Sequence, residues 1–170
     1  MPKIIENVKE ALLTEAKKQI TERGYKATTI RSVASECGVA VGTVYNYFPS
    51  KDMLIACFLL EDWLTVVKEL NSLPKNDSHD FLFEIYSQLR SFAKRHYTLF
   101  KDEEAAKVYH SAFSDRHTLL CSQLSEMIFP LVKSDNPEFT SDFIAESLLT
   151  WTMAGRDFEE IYSVIKKIII

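Results

Sequence analysis

Glycine and proline are scarce in this chain. Its 170 residues include four glycines and five prolines, too few for the many turns that connect the strands of a β-sandwich or barrel. The three cysteines, Cys37, Cys57 and Cys121, are odd in number and widely spaced, which indicates reduced thiols and not a disulfide framework. These shortages exclude a turn-rich β fold and a small domain stabilised by disulfides.

Long apolar runs are also absent. No apolar stretch is long enough to cross a bilayer, and the N-terminal segment lacks the apolar core of a secretory signal. We therefore expect a cytoplasmic protein with no membrane partner. Hydrophobic residues make up 46% of the chain and charged residues 26%, values that are typical of a globular protein.

Charge is moderate and unevenly distributed. The formal net charge is −4, which argues against a protein that coats nucleic acid indiscriminately. Residues 1–60 carry 8 basic and 6 acidic side chains, whereas residues 61–170 carry 12 and 18. From Arg23 to Lys51, four basic side chains accompany one acidic side chain, Glu36. A local basic patch in the first third of the chain is therefore compatible with the overall acidity.

Apolar residues recur at spacings of three and four almost throughout, which predicts an all-α fold of about nine helices. Asn136 followed by Pro137 is a typical helix start, and Asp157 with Glu160 has the spacing of a capping box. Thr28 or Thr29 is a natural cap for the second helix, which should run to about Cys37. The other predicted helices cover about 3–23, 41–48, 50–71, 78–96, 100–113, 115–132, 136–154 and 157 to the C-terminus.

Residues 28–51 contain two short predicted helices joined by a turn of about four residues that includes Gly38. This is the layout of a helix-turn-helix, whose second helix enters the major groove of DNA. Ala34 is small enough for close packing, and Val39 and Val44 are expected to face the first helix. The residues expected to face outward are Val41, Gly42, Thr43, Tyr45 and Tyr47. By spacing alone, an ordinary helical hairpin with exposed tyrosines is an equally valid interpretation.

Segment 8–64 resembles the N-terminal domain of the tetracycline-repressor (TetR/AcrR) family. The matching residues are Gly24-Tyr25, Ala27 to Arg31, Val33-Ala34, Gly38-Val39, Gly42-Thr43, Tyr45, Tyr47-Phe48, Ser50-Lys51 and Leu54. The match covers about a third of the chain at fixed spacing. It departs from the family at Ala40, where a serine is frequent, and at Cys37, where alanine is usual.

The resemblance implies a homodimeric transcriptional regulator, usually a repressor, that a small-molecule effector releases from double-stranded operator DNA. It also implies a DNA-binding domain over 1–49 and an effector-binding and dimerisation domain over 50–170, with the helix 50–71 as connector. The DNA contacts carried over from the family are Thr29, Arg31, Val41, Gly42, Thr43, Tyr45, Tyr47 and Lys51. The alternative is a helical ligand-binding or protein-interaction module that retains the helix-turn-helix only as a scaffold.

The last two predicted helices match the dimer interface that the family resemblance implies, since a monomer would expose much of their apolar surface. The interface residues predicted on them are Ile144, Leu148, Trp151, Phe158, Ile161, Tyr162 and Ile165. The competing interpretation is that both helices simply complete the core of the monomer.

Aromatic and polar residues that alternate at helical spacing are candidates for an effector pocket. They are Trp63, Tyr86, Phe92, His96, Phe100, Tyr109, His110, Phe113 and Met127. Such a mixture favours a small apolar or aromatic effector. Each of these residues is alternatively an ordinary core residue, and His96 is either a hydrogen-bonded core histidine or a ligand contact.

Catalytic and metal-binding motifs are absent. The sequence has no nucleophile elbow, zincin, phosphate-loop or dinucleotide motif, so we expect neither enzymatic activity nor a cofactor. His117 and Cys121 lie four residues apart on one helical face and could supply two metal ligands, but no second pair completes a site by spacing. No metal site is predicted.

Overall fold

The computed structural model describes the backbone of residues 7–169 and the side chains of residues 7–105 and 117–169. Across this part of the chain the secondary structure is helical without strands, which confirms the predicted all-α class. Within the same residues, no helix has the length and apolar character that a bilayer span requires. The helices are α1 (Val8–Ala27), α2 (Ile30–Glu36), α3 (Val41–Tyr47), α4 (Lys51–Ser72), α5 (Ser78–Arg95), α6 (Tyr97–Phe100), α7 (Glu103–Ile128), α8 (Pro137–Met153) and α9 (Phe158–Ile165).

The predicted helix pair over 100–113 and 115–132 is wrong. One continuous helix, α7, covers most of this region, and the four-residue helix α6 precedes it. Residues 103–128 contain neither glycine nor proline, so nothing in the local sequence ends a helix there. Pro130 lies in a 3₁₀ turn over Phe129–Leu131 that follows α7, where the missing proline N–H leaves no intrahelical bond unmade.

The two short helices α2 and α3 differ in how they begin: α2 has a side-chain cap and α3 has none. Thr29 Oγ1 accepts a hydrogen bond from Ser32 N at 3.0 Å, and Ser32 Oγ accepts one from Thr29 N at 3.0 Å, which completes a capping box at the start of α2. Ser32 Oγ also donates to Oε1 of the fully buried Gln19 on α1 at 2.6 Å. Ala40, at the start of α3, has no side-chain cap. The first helix of the pair is therefore tied to α1 through its cap, whereas the second is not.

Helix α8 begins with a side-chain cap, whereas α9 does not. Asn136 Oδ1 accepts a hydrogen bond from Phe139 N at 3.4 Å, and Pro137 is the first helical residue, so the predicted start of α8 is confirmed. Asp157 precedes α9 but makes no side-chain cap. The predicted capping box is thus wrong, and Glu160 instead accepts a hydrogen bond from Arg156 Nη1 at 3.4 Å.

The chain divides into two compact units. The first extends to Leu64 and includes His96–Tyr109, and the second comprises Thr65–Arg95 and His110–Ile170. In the first unit α1 packs against α2 and α6, and α2 packs against α3. In the second unit α5, α8 and α9 contact one another. Buried core residues of the first unit include Leu12, Ala16, Ile20, Val33, Val44, Phe48 and Leu54, and those of the second include Leu82, Ile85, Leu89, Ile144, Leu148 and Ile165.

Candidate nucleic-acid interface

The turn between α2 and α3 is held by backbone hydrogen bonds. Gly38 N donates to Ser35 O at 3.1 Å, and Val39 N donates to Ala34 O at 3.0 Å. Gly38 has φ 67°, a left-handed conformation that side chains other than glycine rarely adopt. The geometry of the pair therefore depends on the backbone of this turn and on one glycine.

Side-chain packing fixes the orientation of α3 on α2. Val33 is fully buried and Ala34 is 1% exposed on α2, and Val44 is fully buried on α3. Val39, in the turn, is half-buried. The predicted inward positions are confirmed. With Val44 facing α2, the 100° that separates successive helical residues directs Gly42 and Asn46 away from α2.

The outer face of α3 combines two exposed tyrosines with an unoccupied surface around Gly42. Tyr45 is 51% exposed and Tyr47 is 47% exposed, while Val41 and Thr43 are half-buried. A Cβ at Gly42 would meet no atom within 4 Å, so the fold itself does not require glycine here. The absence of a side chain leaves room for another molecule to approach the helix backbone closely.

Asn46 is a residue that the sequence interpretation missed. It is exposed and lies one turn after Gly42, on the same outer face. An asparagine amide both donates and accepts, which allows the bidentate pairing with adenine that tyrosine and valine cannot make. Helical-wheel arithmetic anchored on Val44 was the signal that could have identified it.

Lys51 begins α4 and connects it to the end of α1. Its Nζ donates to Tyr25 O at 2.9 Å and lies 3.5 Å from the centroid of the Tyr25 ring. Burial lowers the pKa of Lys51 below its ordinary value. Tyr25 Oη donates to Asp52 Oδ1 at 2.7 Å, and burial together with this carboxylate raises the pKa of Tyr25. Lys51 is therefore a structural residue in addition to a predicted phosphate contact.

Positive charge near the motif is partly balanced within the first unit. Thr29 and Arg31 are exposed at the start of α2. Lys26 is also exposed, but its Nζ lies 3.3 Å from Glu104 Oε1. An exposed ion pair of this kind is weak in water, so Lys26 could exchange its carboxylate for a phosphate at little energetic cost.

The predicted effector residues are distributed over both units. Tyr109, His110 and Phe113 lie outside the residues whose side chains are described. Trp63, Tyr86, His96 and Met127 are buried, and Phe92 and Phe100 are half-buried. The role of these residues in binding an effector stays a prediction.

His96 is a buried member of a partly exposed cluster of ionisable side chains in the first unit. Its Nε2 lies 3.0 Å from Asp62 Oδ2, and Lys17 Nζ lies 2.7 Å from the same oxygen. Its ring also packs against Phe58 and Phe100, with centroids 6.0 Å and 6.2 Å away. Of the two interpretations open for this residue, these contacts favour a paired core histidine.

The predicted interface residues require a correction. Ile144 and Leu148 are fully buried, because the apolar stripe of α8 faces the core that it shares with α5 and α9. A side chain that the chain itself buries cannot also cover a partner. The same correction applies to three residues of α9, which are Phe158, Ile161 and Ile165.

Other apolar residues of α8 and α9 face solvent. Trp151 is 48% exposed and Tyr162 is half-buried, and their contact with a partner stays a prediction. Phe143 is 47% exposed and Val164 is 54% exposed; both line a cleft of about 360 Å³ together with Trp151. Large apolar groups in contact with water commonly mark an interaction surface.

Comparison with known proteins identifies the motif. Residues 12–56 match the model for bacterial regulatory proteins of the tetR family. The uncharacterized HTH-type transcriptional regulator YuxN of Bacillus subtilis is 38% identical over 72 residues, which is 41% of this chain and 25% of YuxN. The HTH-type transcriptional repressor KstR of Rhodococcus jostii is 28% identical over 122 residues, or 72% of this chain and 57% of KstR. The chain thus matches about a quarter of the length of YuxN and just over half of the length of KstR.

Solved structures share the fold over nearly the whole chain. A transcriptional regulator from Cytophaga hutchinsonii aligns with a TM-score of 0.66 at 19% identity, covering 95% of this chain and 93% of its own. BioQ with its double-stranded DNA operator aligns at 0.57 and 17% identity, covering 94% and 93%. FadR of Thermus thermophilus, in complex with lauroyl-CoA, aligns at 0.56 and 20% identity, covering 94% and 91%.

Proposed function

Because the chain belongs to the tetR family of bacterial regulatory proteins, a family of regulators and not of enzymes, we propose that it is a sequence-specific transcriptional repressor. In this proposal, a small-molecule effector releases it from double-stranded operator DNA. The observation that carries the proposal is the outer face of α3, where Gly42, Tyr45 and Asn46 are exposed on a helix anchored by Val44.

The outer face of α3 has the chemistry to contact base edges in a major groove. Asn46 would pair with adenine through its amide, and Val41 would contact a thymine methyl group. Gly42 permits close approach of the helix backbone to the DNA. Because one amide is the principal bidentate group on this face, specificity would also depend on the shape and deformability of the DNA.

Phosphate contacts would fix the motif on the duplex. Thr29 and Arg31 lie at the start of α2, and the hydroxyls of Thr43, Tyr45 and Tyr47 lie along α3. One of the three N–H donors of Lys51 is used on Tyr25 O, and the remaining donors would bind a phosphate. These contacts would set the register without reading sequence.

The domain organisation follows from this placement. Residues 1–49 would bind DNA in the cytoplasm, residues 50–170 would bind the effector and dimerise, and α4 would connect the two functions. A homodimer would place two motifs on successive major grooves, about 34 Å apart. The exposed side of α8 and α9, with Phe143, Trp151 and Val164, is the surface that best suits the second copy.

The effector would be a small apolar or aromatic molecule. The residues predicted to bind the effector are mainly aromatic and apolar in type, which favours such a ligand. The lauroyl-CoA bound to FadR of Thermus thermophilus shows that a protein of this fold binds a small molecule with a long apolar chain. An effector acts only if it binds the DNA-free state more tightly than the DNA-bound state.

The proposal is tested by the opposite effects of one substitution on stability and on binding. An operator is selected from random double-stranded DNA by the purified protein, and affinities are measured by fluorescence anisotropy. Gly42→Ala should stabilise α3 by about 0.5–1 kcal/mol, because the new methyl group has free space. It should nevertheless weaken operator binding by about tenfold or more, which corresponds to about 1.4 kcal/mol.

A matched tyrosine pair controls for general surface effects. Tyr45→Ala should reduce operator affinity by about 1–3 kcal/mol per subunit. Tyr97→Ala removes a similarly exposed tyrosine (58%) of the same unit, outside the motif, and should leave affinity unchanged. If the selected DNA shares no motif, the helix-turn-helix is a scaffold in a ligand-binding or protein-interaction module. If Gly42→Ala binds a selected operator like the wild type, the DNA does not approach α3 closely at Gly42.

A further inference from the structure

Three side chains with metal-ligating atoms converge between α7 and α8 in the second unit. His117 and Cys121 come from adjacent turns of α7, and Glu146 comes from α8. In the sequence, His117 and Cys121 lie four residues apart, a spacing that allows both to bind one metal ion. The third ligand lies 25 residues beyond Cys121, and only the packing of the two helices brings it near.

The distances among the three ligand atoms are short. His117 Nε2 lies 2.8 Å from Glu146 Oε2 and 3.6 Å from Cys121 Sγ. Cys121 Sγ lies 3.1 Å from Glu146 Oε2. The nitrogen, sulfur and oxygen atoms thus form a triangle small enough for one metal ion to bond to all three.

This triangle is close to three corners of a tetrahedral metal site. Ordinary zinc bond lengths and tetrahedral angles require about 3.6 Å between sulfur and nitrogen, about 3.4 Å between nitrogen and oxygen, and about 3.6 Å between sulfur and oxygen. The sulfur–nitrogen distance of 3.6 Å already meets this requirement. A carboxylate shift of about 0.7 Å would satisfy the other two, and rotation of an exposed glutamate provides such a shift.

The surroundings suit a divalent cation. The Cys121 thiol donates to Glu146 Oε2 in the structure, so metal binding would release its proton to solvent. Thiolate, carboxylate and neutral imidazole then carry two negative charges, which balance a divalent ion. Thr150 Oγ1 donates to Glu146 Oε1 at 2.9 Å and thereby orients the carboxylate, as the outer partners of metal ligands do. The ligands line an open cleft, so a water molecule could occupy the fourth position. Asp142, in the same cleft, accepts a hydrogen bond from Ser125 at 2.6 Å and is already engaged.

We propose that His117, Cys121 and Glu146 bind a divalent transition-metal ion of the zinc class, with water as the fourth ligand. A thiolate combined with an imidazole selects zinc, cobalt and related ions over magnesium and calcium, which prefer oxygen ligands. The bound ion would link α7 to α8. This site is independent of the proposed apolar or aromatic effector and of the DNA-binding face.

Cobalt(II) is a suitable probe because its spectrum reports both the geometry and the ligands. Titration of the purified full chain with Co²⁺ should give visible bands of tetrahedral intensity and a thiolate-to-cobalt charge-transfer band in the near ultraviolet. Addition of Zn²⁺ should abolish both. Mg²⁺ at the same concentration should leave them unchanged.

Variants test the two ligands on α7 individually. Cys121→Ser should remove the charge-transfer band and weaken Co²⁺ binding by at least about 100-fold, more than the loss of an outer partner causes. His117→Ala should weaken binding to the same extent. It should leave the fold intact, because the His117 side chain is 42% exposed. Cys57→Ser is the matched control, since Cys57 is another half-buried free thiol, and it should bind Co²⁺ like the wild type.

Two further measurements make the outcome decisive. Zn²⁺ should raise the Tm of the wild type and of Cys57→Ser but not that of His117→Ala. Zn²⁺ should also protect one thiol, Cys121, from alkylation. If wild-type protein shows no charge-transfer band, or if Cys121→Ser and His117→Ala bind Co²⁺ as tightly as the wild type, the three residues are a hydrogen-bonded cluster only and the proposal is overturned.

Discussion

The α2–α3 pair and the α8–α9 pair carry different kinds of sequence information. In α2–α3 particular residues are tied to particular positions, such as Gly38 in the left-handed turn and Val44 against α2. The sequence therefore predicts part of the outward face correctly, although Val41 and Thr43 are half-buried and the exposed Asn46 was missed. In α8–α9 the sequence shows only apolar periodicity. That periodicity marks the side facing the chain's own core, and it therefore misassigned buried residues such as Ile144 to a partner interface.

The misassignment has a physical cause. Helix α8 is apolar on two sides, with Ile144 and Leu148 buried and Phe143 and Trp151 exposed. A helix with apolar residues on two sides gives a weak amphipathic signal, so periodicity alone cannot separate an inner from an outer stripe. Residues that face a partner have to be sought among the apolar side chains that the core leaves exposed.

The largest expected effect comes from charges on the inner stripe of α9. Ile161 is 6% exposed and Ile165 is 1% exposed, so Ile161→Asp combined with Ile165→Asp would bury two unpaired carboxyl groups. The loss should be comparable to the whole stability of a small domain, about 5–15 kcal/mol. Circular dichroism during urea titration measures it. Val164→Asp, at an exposed neighbouring position, should remain folded; a stably folded double variant would refute the inner assignment.

Charges on the outer stripe of α8 should separate folding from dimerisation. Phe143→Asp combined with Trp151→Asp should preserve the helical content but give a monomer by light scattering. Operator affinity should fall by about 10²–10⁴, the usual contribution of bivalent binding. Leu119→Asp alters an exposed leucine of α7 (47%) and should remain dimeric. A dimer of wild-type affinity in the double variant would locate the interface elsewhere.

Lys51→Ala should have smaller effects on two properties, the stability of the protein and the salt dependence of its DNA binding. The loss of the Nζ donor leaves Tyr25 O without that bond and removes the cation above the Tyr25 ring, which should lower stability by about 1–2 kcal/mol. If each subunit also loses one phosphate contact, the slope of log K against log salt should flatten by about two units. Lys68→Ala, on the same helix, should change neither. An unchanged slope would restrict Lys51 to its structural role.

The smallest expected effect concerns the two caps. Ala40→Ser should add the cap that α3 lacks and stabilise the protein by about 0.5–1 kcal/mol, while Thr29→Ala should remove the existing cap of α2 and destabilise it by about 1 kcal/mol. Thermal unfolding of both variants beside the wild type measures the difference. Equal Tm values for all three proteins would show that capping does not limit the stability of the motif.

Sequence reasoning succeeded where a residue's backbone requirement is local. The turn at Gly38, the cap at Thr29 and the start of α8 at Asn136 all depend on neighbouring residues, and the structure confirms them. It failed at two local features, the break predicted within α7 and the capping box at Asp157, and it failed where the answer depends on how helices pack. Glu146 approaches Cys121 across 25 residues, and no spacing rule predicts such an approach. Asn46 was missed for a simpler reason, since its direction follows once the inward position of Val44 is known.

The attachment of α3 has a consequence for how operator preference can change. Val44 is the buried residue of α3, and the turn that precedes the helix is held by backbone bonds. The positions that fold α3 are thus separate from Gly42, Tyr45 and Asn46, the positions that would read DNA. Substitutions at these three surface positions could redirect the protein to a new promoter while its scaffold stays intact, so new regulatory connections could arise by very few mutations.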